Sequence, residues 1–299
     1  MQIETLKIFC DILETRSFSK AASLNYISQS AVSQQVRGLE ERYRRKLIER
    51  GKRTLSPTQA GEVLYAGAKE ILERFVAMEN HLQVLSNSIA GSLRVATVYS
   101  VGLHELPPYL KTFMKRYPAA NVRLEYSRSN RIYDDVSSGS VDLGIVAYPV
   151  RRSGLEIIKF REDTMVVIAA PSHPLAKKKF AELGDLARLP FVAFERDVPT
   201  RRNVDRIMRA ANVPLDVIME FDNIETIKRA VEVEVGVSIV PLITVQSEVK
   251  AKTLVAIPFK DRTLIRNLGI LVRKGRERTQ AMTKFIDLLQ SEEVELEIT

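Results

Sequence analysis

Residues 18–40 read Phe18-Ser-Lys-Ala-Ala-Ser-Leu-Asn-Tyr-Ile-Ser28-Gln-Ser-Ala-Val-Ser-Gln-Gln-Val-Arg-Gly-Leu-Glu40. Ser17 or Ser19 can cap a short helix carrying Phe18, Ala21, Ala22 and Leu24. Ser28 can cap the next helix, where Val32, Val36, Leu39 and Tyr43 form one apolar stripe. The other face of that helix opens with Gln29, Ser30, Ser33, Gln34 and Arg37. Short amides and hydroxyls suit base edges, because Gln offers a donor and an acceptor together. Upstream, Leu6, Phe9, Cys10 and Leu13 recur at helical spacing and predict a helix over 3–15. Helix, short turn, then a helix polar on its leading face is a helix-turn-helix pattern, which a plain three-helix bundle with a polar surface also satisfies. Downstream, Leu47–Ser56 reads as a β-hairpin with Gly51, Lys52 and Arg53 at its tip. A cation on such a wing can enter the minor groove of DNA, where the potential is most negative.

Charge supports the same half of the chain. The net charge is +8 over 299 residues, and residues 1–60 alone hold 11 Lys/Arg against 6 Asp/Glu. A compact basic segment suggests a polyanion partner, although charge by itself fits a solvated basic face equally well. Apolar residues make up 45% of the chain, enough for substantial cores, and the length suggests two or three domains. The longest apolar runs, such as Val166–Pro171 and Leu143–Val150, are far short of the roughly 18 residues of a membrane span. Glu4, Lys7 and Asp11 interrupt the first apolar segment, so it does not read as a signal peptide. The single cysteine, Cys10, forbids an internal disulfide and fits a reducing, cytoplasmic compartment. His81, His104 and His173 are too scattered for an evident zinc site, so no metal is expected.

Four runs carry a family resemblance. Phe18–Leu24, Ser28–Glu40, Leu47-Ile-Glu-Arg-Gly51 and Leu55-Ser-Pro-Thr-Gln-Ala-Gly61 resemble, in order and spacing, the LysR-type transcriptional regulators. Ile48 stands where the family usually has Phe, and Ser56 where it more often has Thr. The resemblance implies that Gln29, Ser30, Ser33 and Gln34 meet bases in the major groove of double-stranded DNA. It also implies that Arg53 is the wing's minor-groove residue.

Ser56, Pro57 and Gln59 predict a capping box with Pro at the first helical position. In the helix that follows, Leu64, Ala68, Ile71, Phe75, Met78, Leu82, Leu85 and Ile89 form an a/d heptad seam, and Gly91 is expected to end it. A seam this narrow predicts pairing with a second copy. The resemblance agrees, since its members dimerise through this helix, and it adds the expectation of a homotetramer. A dimer would present two reading helices to a two-fold-related DNA site.

After Gly91 the texture changes to short β-branched runs alternating with helices. Leu93–Val98, Val122–Tyr126 and Val141–Ala147 predict one βαβαβ unit; Phe191–Phe194, Val217–Phe221 and Val237–Pro241 predict a second. The expected fold is α/β overall: a winged helix-turn-helix (1–58), a linker helix (59–90) and a two-lobed domain (91–299). Lobe 1 would comprise about 91–164 and 267–299, and lobe 2 about 165–266. Chain crossings near Asp163–Ala170 and Thr263–Leu271 would join them, and a final helix near Thr279–Gln290 would return to lobe 1. The motifs Leu-Pro-Pro (106–108), Gly139-x-Val-Asp-Leu-Gly144 and Gly236-Val-Ser-Ile-Val-Pro241 resemble the periplasmic-binding-protein-like effector domain of the same family.

Ligands of such sheets bind beyond the carboxyl ends of the strands. Ser100, Ser129, Asn130, Thr200 and Asn223 occupy the strand-to-helix turns there and suit helix N-caps. Helix N-termini converging on a cleft favour an anion, and Arg128, Arg131, Arg201 and Arg202 flank the same turns. Those features predict a small anionic effector, a carboxylate or an oxyanion, and no cofactor; the resemblance places effector contacts at Ser100, Ser129 and Thr200. An enzyme on this scaffold would need a nucleophile elbow, a phosphate-binding Gly-rich loop or a His-Glu-x-x-His helix, and none occurs. A transporter's solute-binding protein would leave residues 1–90 without a purpose. The resemblance therefore implies a ligand-responsive transcription regulator that alters the access of RNA polymerase.

Overall fold

The computed structural model describes residues 2–50, 55–84, 91–260, 263–291 and 293–294. The chain forms two compact units, Met1–Asn87 and Ser88–Thr299. In the first, α1 (Ile3–Thr15), α2 (Phe18–Leu24) and α3 (Gln29–Tyr43) precede β1 (Ile48–Arg50), β2 (Leu55–Pro57) and α4 (Gln59–Val84). The serines act as local start signals: Ser17 Oγ accepts from the Lys20 amide and Ser28 Oγ from the Ala31 amide, each at 3.2 Å. Phe9, Ile12, Ala21, Val32 and Val36 are fully buried among the three helices. Tyr43, the last member of the α3 stripe, is 41% exposed at the helix end, where Arg44 takes the left-handed conformation. Strands β1 and β2 pair antiparallel, as a wing requires. The wing tip, with Gly51, Lys52 and Arg53, lies outside the described residues.

The start of α4 differs from the expected capping box. Ser56 and Pro57 belong to β2, and Thr58 caps instead: its Oγ1 accepts from the Gly61 amide at 3.0 Å and donates to the Lys46 carbonyl at 2.7 Å. Gly61 is dictated by packing, since a Cβ there would sit 2.0 Å from the Leu47 carbonyl oxygen. The heptad seam also divides. Ala68 is buried with Leu6 and Cys10 of α1, and Leu64 packs there too, whereas Ile71 and Met78 are 47% and 49% exposed. Leu85 and Ile89 lie outside the described residues, and Gly91 opens a strand rather than capping a helix.

The second unit begins with β3 (Gly91–Thr97), α5 (Tyr99–His104), α6 (Leu106–Arg116), β4 (Ala120–Tyr126), α7 (Ser129–Ser138) and β5 (Leu143–Ala147). Strand β3 pairs parallel with both β4 and β5, the βαβαβ arrangement read from the sequence. The long β6 (Leu155–Ala169) follows. A second set comprises β7 (Pro190–Phe194), α8 (Pro199–Ala210), β8 (Asp216–Phe221), α9 (Ile224–Glu232) and β9 (Ser238–Pro241). Strands β7 and β8 are parallel, and a parallel bridge joins Phe191 to Val237 beside β9. The chain ends with α10 (Gln246–Lys250), β10 (Val255–Ile257), β11 (Leu264–Arg273) and α11 (Gln280–Gln290).

The two lobes share one ribbon. Strand β6 pairs antiparallel with β11 from Leu155–Arg273 to Met165–Leu264, and β11 pairs in turn with β5 of lobe 1. The far end of β6 pairs with β9 and β10 of lobe 2. Each lobe has its own core. In lobe 1, Phe285 of α11 meets Phe113 of α6 edge-on, ring centres 5.1 Å apart, so the last helix closes the first sheet. The Gly139–Gly144 motif has a structural basis: Gly139 ends α7 in the left-handed conformation, and Asp142 accepts from the Arg94 amide at 2.8 Å. Gly144 leaves room for α7, since a Cβ would lie 2.5 Å from Ile132 Cγ2.

Candidate functional site

The first unit presents one polar helix face. Gln29, Ser30, Gln34 and Arg37 of α3 are exposed, and Ser33 is half-buried. Gln29 Oε1 accepts from Ser19 of α2 at 3.0 Å, Ser30 and Ser28 share a hydrogen bond of 2.8 Å, and Arg37 pairs with Glu41 at 2.9 Å. These contacts pre-order the face without covering it. Tyr26, in the turn between α2 and α3, adopts φ 55° and is 94% exposed, a turn conformation that spacing does not reveal.

The second unit carries an open cleft between its two lobes. From lobe 1 come Tyr99, Ser100, Ser129 and Asn130; from lobe 2 come Thr200 and Asn223. Helix phase decides which residues reach it. Asn223 caps α9, its Oδ1 accepting from the Thr226 amide at 3.1 Å. Ser100, Ser129, Asn130 and Thr200 are not caps: Val98, Arg128 and Val198 hold the cap positions, and these residues fall in the first turns of α5, α7 and α8. Arg201 is not in the cleft. It is 5% exposed, turned into lobe 2, and bonded to the Phe194 carbonyl, Asp205 and Glu220 at 2.7–2.8 Å. The reason is that α8 starts at Pro199, so its phase turns the buried Thr200 to the cleft and Arg201 toward β7 and β8.

Ion pairs that linear sequence could not supply cross the cleft between the lobes, and their carboxylates outnumber their cations. Arg128 lines the cleft and reaches Asp197 at 2.9 Å, Glu195 at 3.0 Å and Asp222 at 3.5 Å, all from lobe 2. Tyr148, at φ 49°, accepts from Asn203 at 2.9 Å. His104 of α5 meets Glu225 of α9 at 2.8 Å, and burial depresses the His104 pKa against the pull of that carboxylate. Glu225 and Glu248 flank the buried Lys228 at 3.0 and 2.9 Å. Behind Ser100, the fully buried Arg266 donates from Nη1 to its Oγ at 2.8 Å and from Nη2 to Asp163 at 2.6 Å. Beside them lies Glu105, 1% exposed, with Oε2 lacking any hydrogen-bond partner. No group of three or more metal-ligating side chains occurs among the described residues, and no described helix is long and apolar enough to cross a membrane.

Comparison with known proteins agrees with both halves of this geometry. The family of bacterial regulatory helix-turn-helix proteins, lysR family, matches residues 3–62, and the LysR substrate binding domain matches residues 86–293. A probable RuBisCO transcriptional regulator of Cyanidium caldarium is 31% identical over 289 residues, 95% of this chain and 91% of that one. A full-length OxyR variant from Pseudomonas aeruginosa shares the fold at TM-score 0.76 and 23% identity, over 97% of this chain and 94% of that one. The regulatory domain of Synechocystis CcmR, solved in complex with 2-PG, is 26% identical at TM-score 0.62, over 67% of this chain and 96% of that domain. The chain therefore belongs to the LysR family of DNA-binding transcriptional regulators, with a helix-turn-helix unit followed by an effector-binding domain.

Proposed function

We propose that this protein is a cytoplasmic, sequence-specific regulator, not an enzyme, that answers to a small anionic effector held between its two lobes. The observation that carries the reading is the presence, in one chain, of a polar reading helix and a two-lobed cleft, each matched by its own family model. Gln29, Ser30, Ser33 and Gln34 would read base edges, while Arg37, Lys52 and Arg53 would meet phosphates and the minor groove. Ser100, Ser129, Asn130, Thr200 and Asn223 would hold the effector. The residual N–H groups at the starts of α7, α8 and α9 favour an anion, and the CcmR domain, a relative at 26% identity, was solved with 2-PG.

The working divisions are 1–58 for DNA, 59–90 for dimerisation and 91–299 for the effector. Pairing would use the exposed part of the α4 seam, Ile71 and Met78, and dimers would assemble into a homotetramer. The effector acts by population shift: it must bind one lobe pose more tightly than another to change the spacing of DNA-reading units and the access of RNA polymerase. The test is a pull-down of genomic fragments at physiological salt, with and without metabolite extract. A few intergenic fragments sharing an interrupted palindrome are expected. Random fragments under both conditions would refute sequence-specific regulation.

A further inference from the structure

The wall behind Ser100 contains the largest fully buried side chain of the described chain, Arg266. Arg266 of β11 and Asp163 of β6 are direct cross-strand partners on the two strands that the lobes share. Its guanidinium gives Nε and Nη2 to Asp163 Oδ2, at 3.1 and 2.6 Å, and Nη1 to Ser100 Oγ at 2.8 Å. A guanidinium has donors only, so the direction of the last bond is fixed. The Ser100 oxygen accepts, and its own proton remains to be donated elsewhere. Ser100 lines the cleft, and its side chain makes no other hydrogen bond among the described residues.

We propose that Arg266 is a positioning residue for the effector cleft: by filling the acceptor side of Ser100, it turns that hydroxyl's proton toward the bound molecule. The spot then admits an acceptor oxygen, such as one from a carboxylate or phosphate, and disfavours an amine. The inference rests on the reading of Ser100 as an effector contact. The effect is one of hydrogen-bond polarity rather than of net charge. Arg266 and Arg161 face Asp163 and Glu105 in the same cluster, so the four formal charges cancel when both carboxyls are ionised. Tyr109, which accepts from Arg161 at 3.0 Å, closes the cluster on the α6 side.

The test is calorimetric titration of the full-length protein with 2-PG, inorganic phosphate and oxalate as anion probes, in a double-mutant cycle of Ser100→Ala and Arg266→Met. Arg266→Met should weaken anion binding about tenfold, the scale of one charge-linked hydrogen bond. Arg266→Lys, which also offers only donors, should recover a large part of the loss. In the Ser100→Ala background, Arg266→Met should add less than about twofold, because the two residues act through one hydroxyl. Additive losses, or binding by Arg266→Met within about twofold of the parent, would overturn the proposal. Arg266→Met strands the buried Asp163 carboxylate, so if it fails to fold, the paired variant Asp163→Asn/Arg266→Gln takes its place in the cycle. A parent protein that binds none of the probes refutes the anion cleft itself, and that failure is visible before any variant is made.

Discussion

Replacing Glu105 by Gln should remove a pH dependence from the stability of the effector-binding unit. Glu105 joins α5 to α6, is 1% exposed and leaves one carboxyl oxygen without a partner. Burial first, and the Asp163 carboxylate second, push its pKa from the usual 4.5 up to about 7, while Arg266 and Arg161 pull the other way. The folded chain thus holds this proton more tightly than the unfolded chain does. The stabilisation is fully present below about pH 4.5 and is lost as pH rises through about 7. At about 1.36 kcal/mol per pH unit, the gap between the two values amounts to roughly 3 kcal/mol. Gln carries a neutral, isosteric group and should not suffer that loss. Urea unfolding followed by far-UV circular dichroism, which suits a chain without tryptophan, should therefore give matching stabilities near pH 5. At pH 8 the variant should exceed the parent by roughly 2–3 kcal/mol. His104 works in the opposite sense, since its depressed pKa stabilises at high pH and costs stability on acidification. That contribution is common to both proteins and cancels in their difference. A variant less stable than its parent at pH 8, or a difference unchanged between pH 5 and 8, would refute the reasoning.

Three further outcomes are expected. Ile71→Asp with Met78→Asp, at positions half-exposed on α4, should convert dimers to monomers in sedimentation velocity without unfolding the DNA-binding unit. Arg128→Ala should speed amide exchange around Thr200 and Asn223, because it removes three carboxylate contacts from one lobe to the other; unchanged exchange would mean that the strands, His104–Glu225 and Asn203–Tyr148 hold the pose without it. Gln29→Ala should relax base preference by about 1–3 kcal/mol at one position of the DNA site, measured by competition with base-substituted duplexes. An equal loss for every sequence would show that Gln29 contacts only the backbone.

What was legible in the sequence was what is local. The α3 stripe, the Ser17 and Ser28 caps and the alternation of strands and helices each depend on neighbours within a few residues, and the structure contains them all. Local rules failed where a distant group decides. Thr58 displaces Ser56 as the cap because Lys46 and Leu47 hold it in place. Ser100, Ser129 and Thr200 look like caps by composition, but Val98, Arg128 and Val198 set the helix starts. Arg201 lies one residue from the cleft in sequence, yet the phase of α8 buries it against Glu220. Nothing near Arg266 in the sequence marks its role, because its partners are 103 and 166 residues away, on strands and helices whose meeting only the ribbon of β6 and β11 brings about.

The placement of α11 has a consequence for how the protein is made. Phe285, Ile286 and Leu289 complete the core begun by Leu93, Val95 and Phe113, so lobe 1 cannot close until α11 has left the ribosome. At ~5–20 residues per second, the roughly 200 residues from the end of α4 to the end of α11 take on the order of 10–40 s to synthesise. The helix-turn-helix, whose packing is complete by Leu72, is free to fold throughout that interval. Each nascent chain thus owns a DNA-binding half before it owns a sensor, and a message truncated before α11 would yield the first without the second.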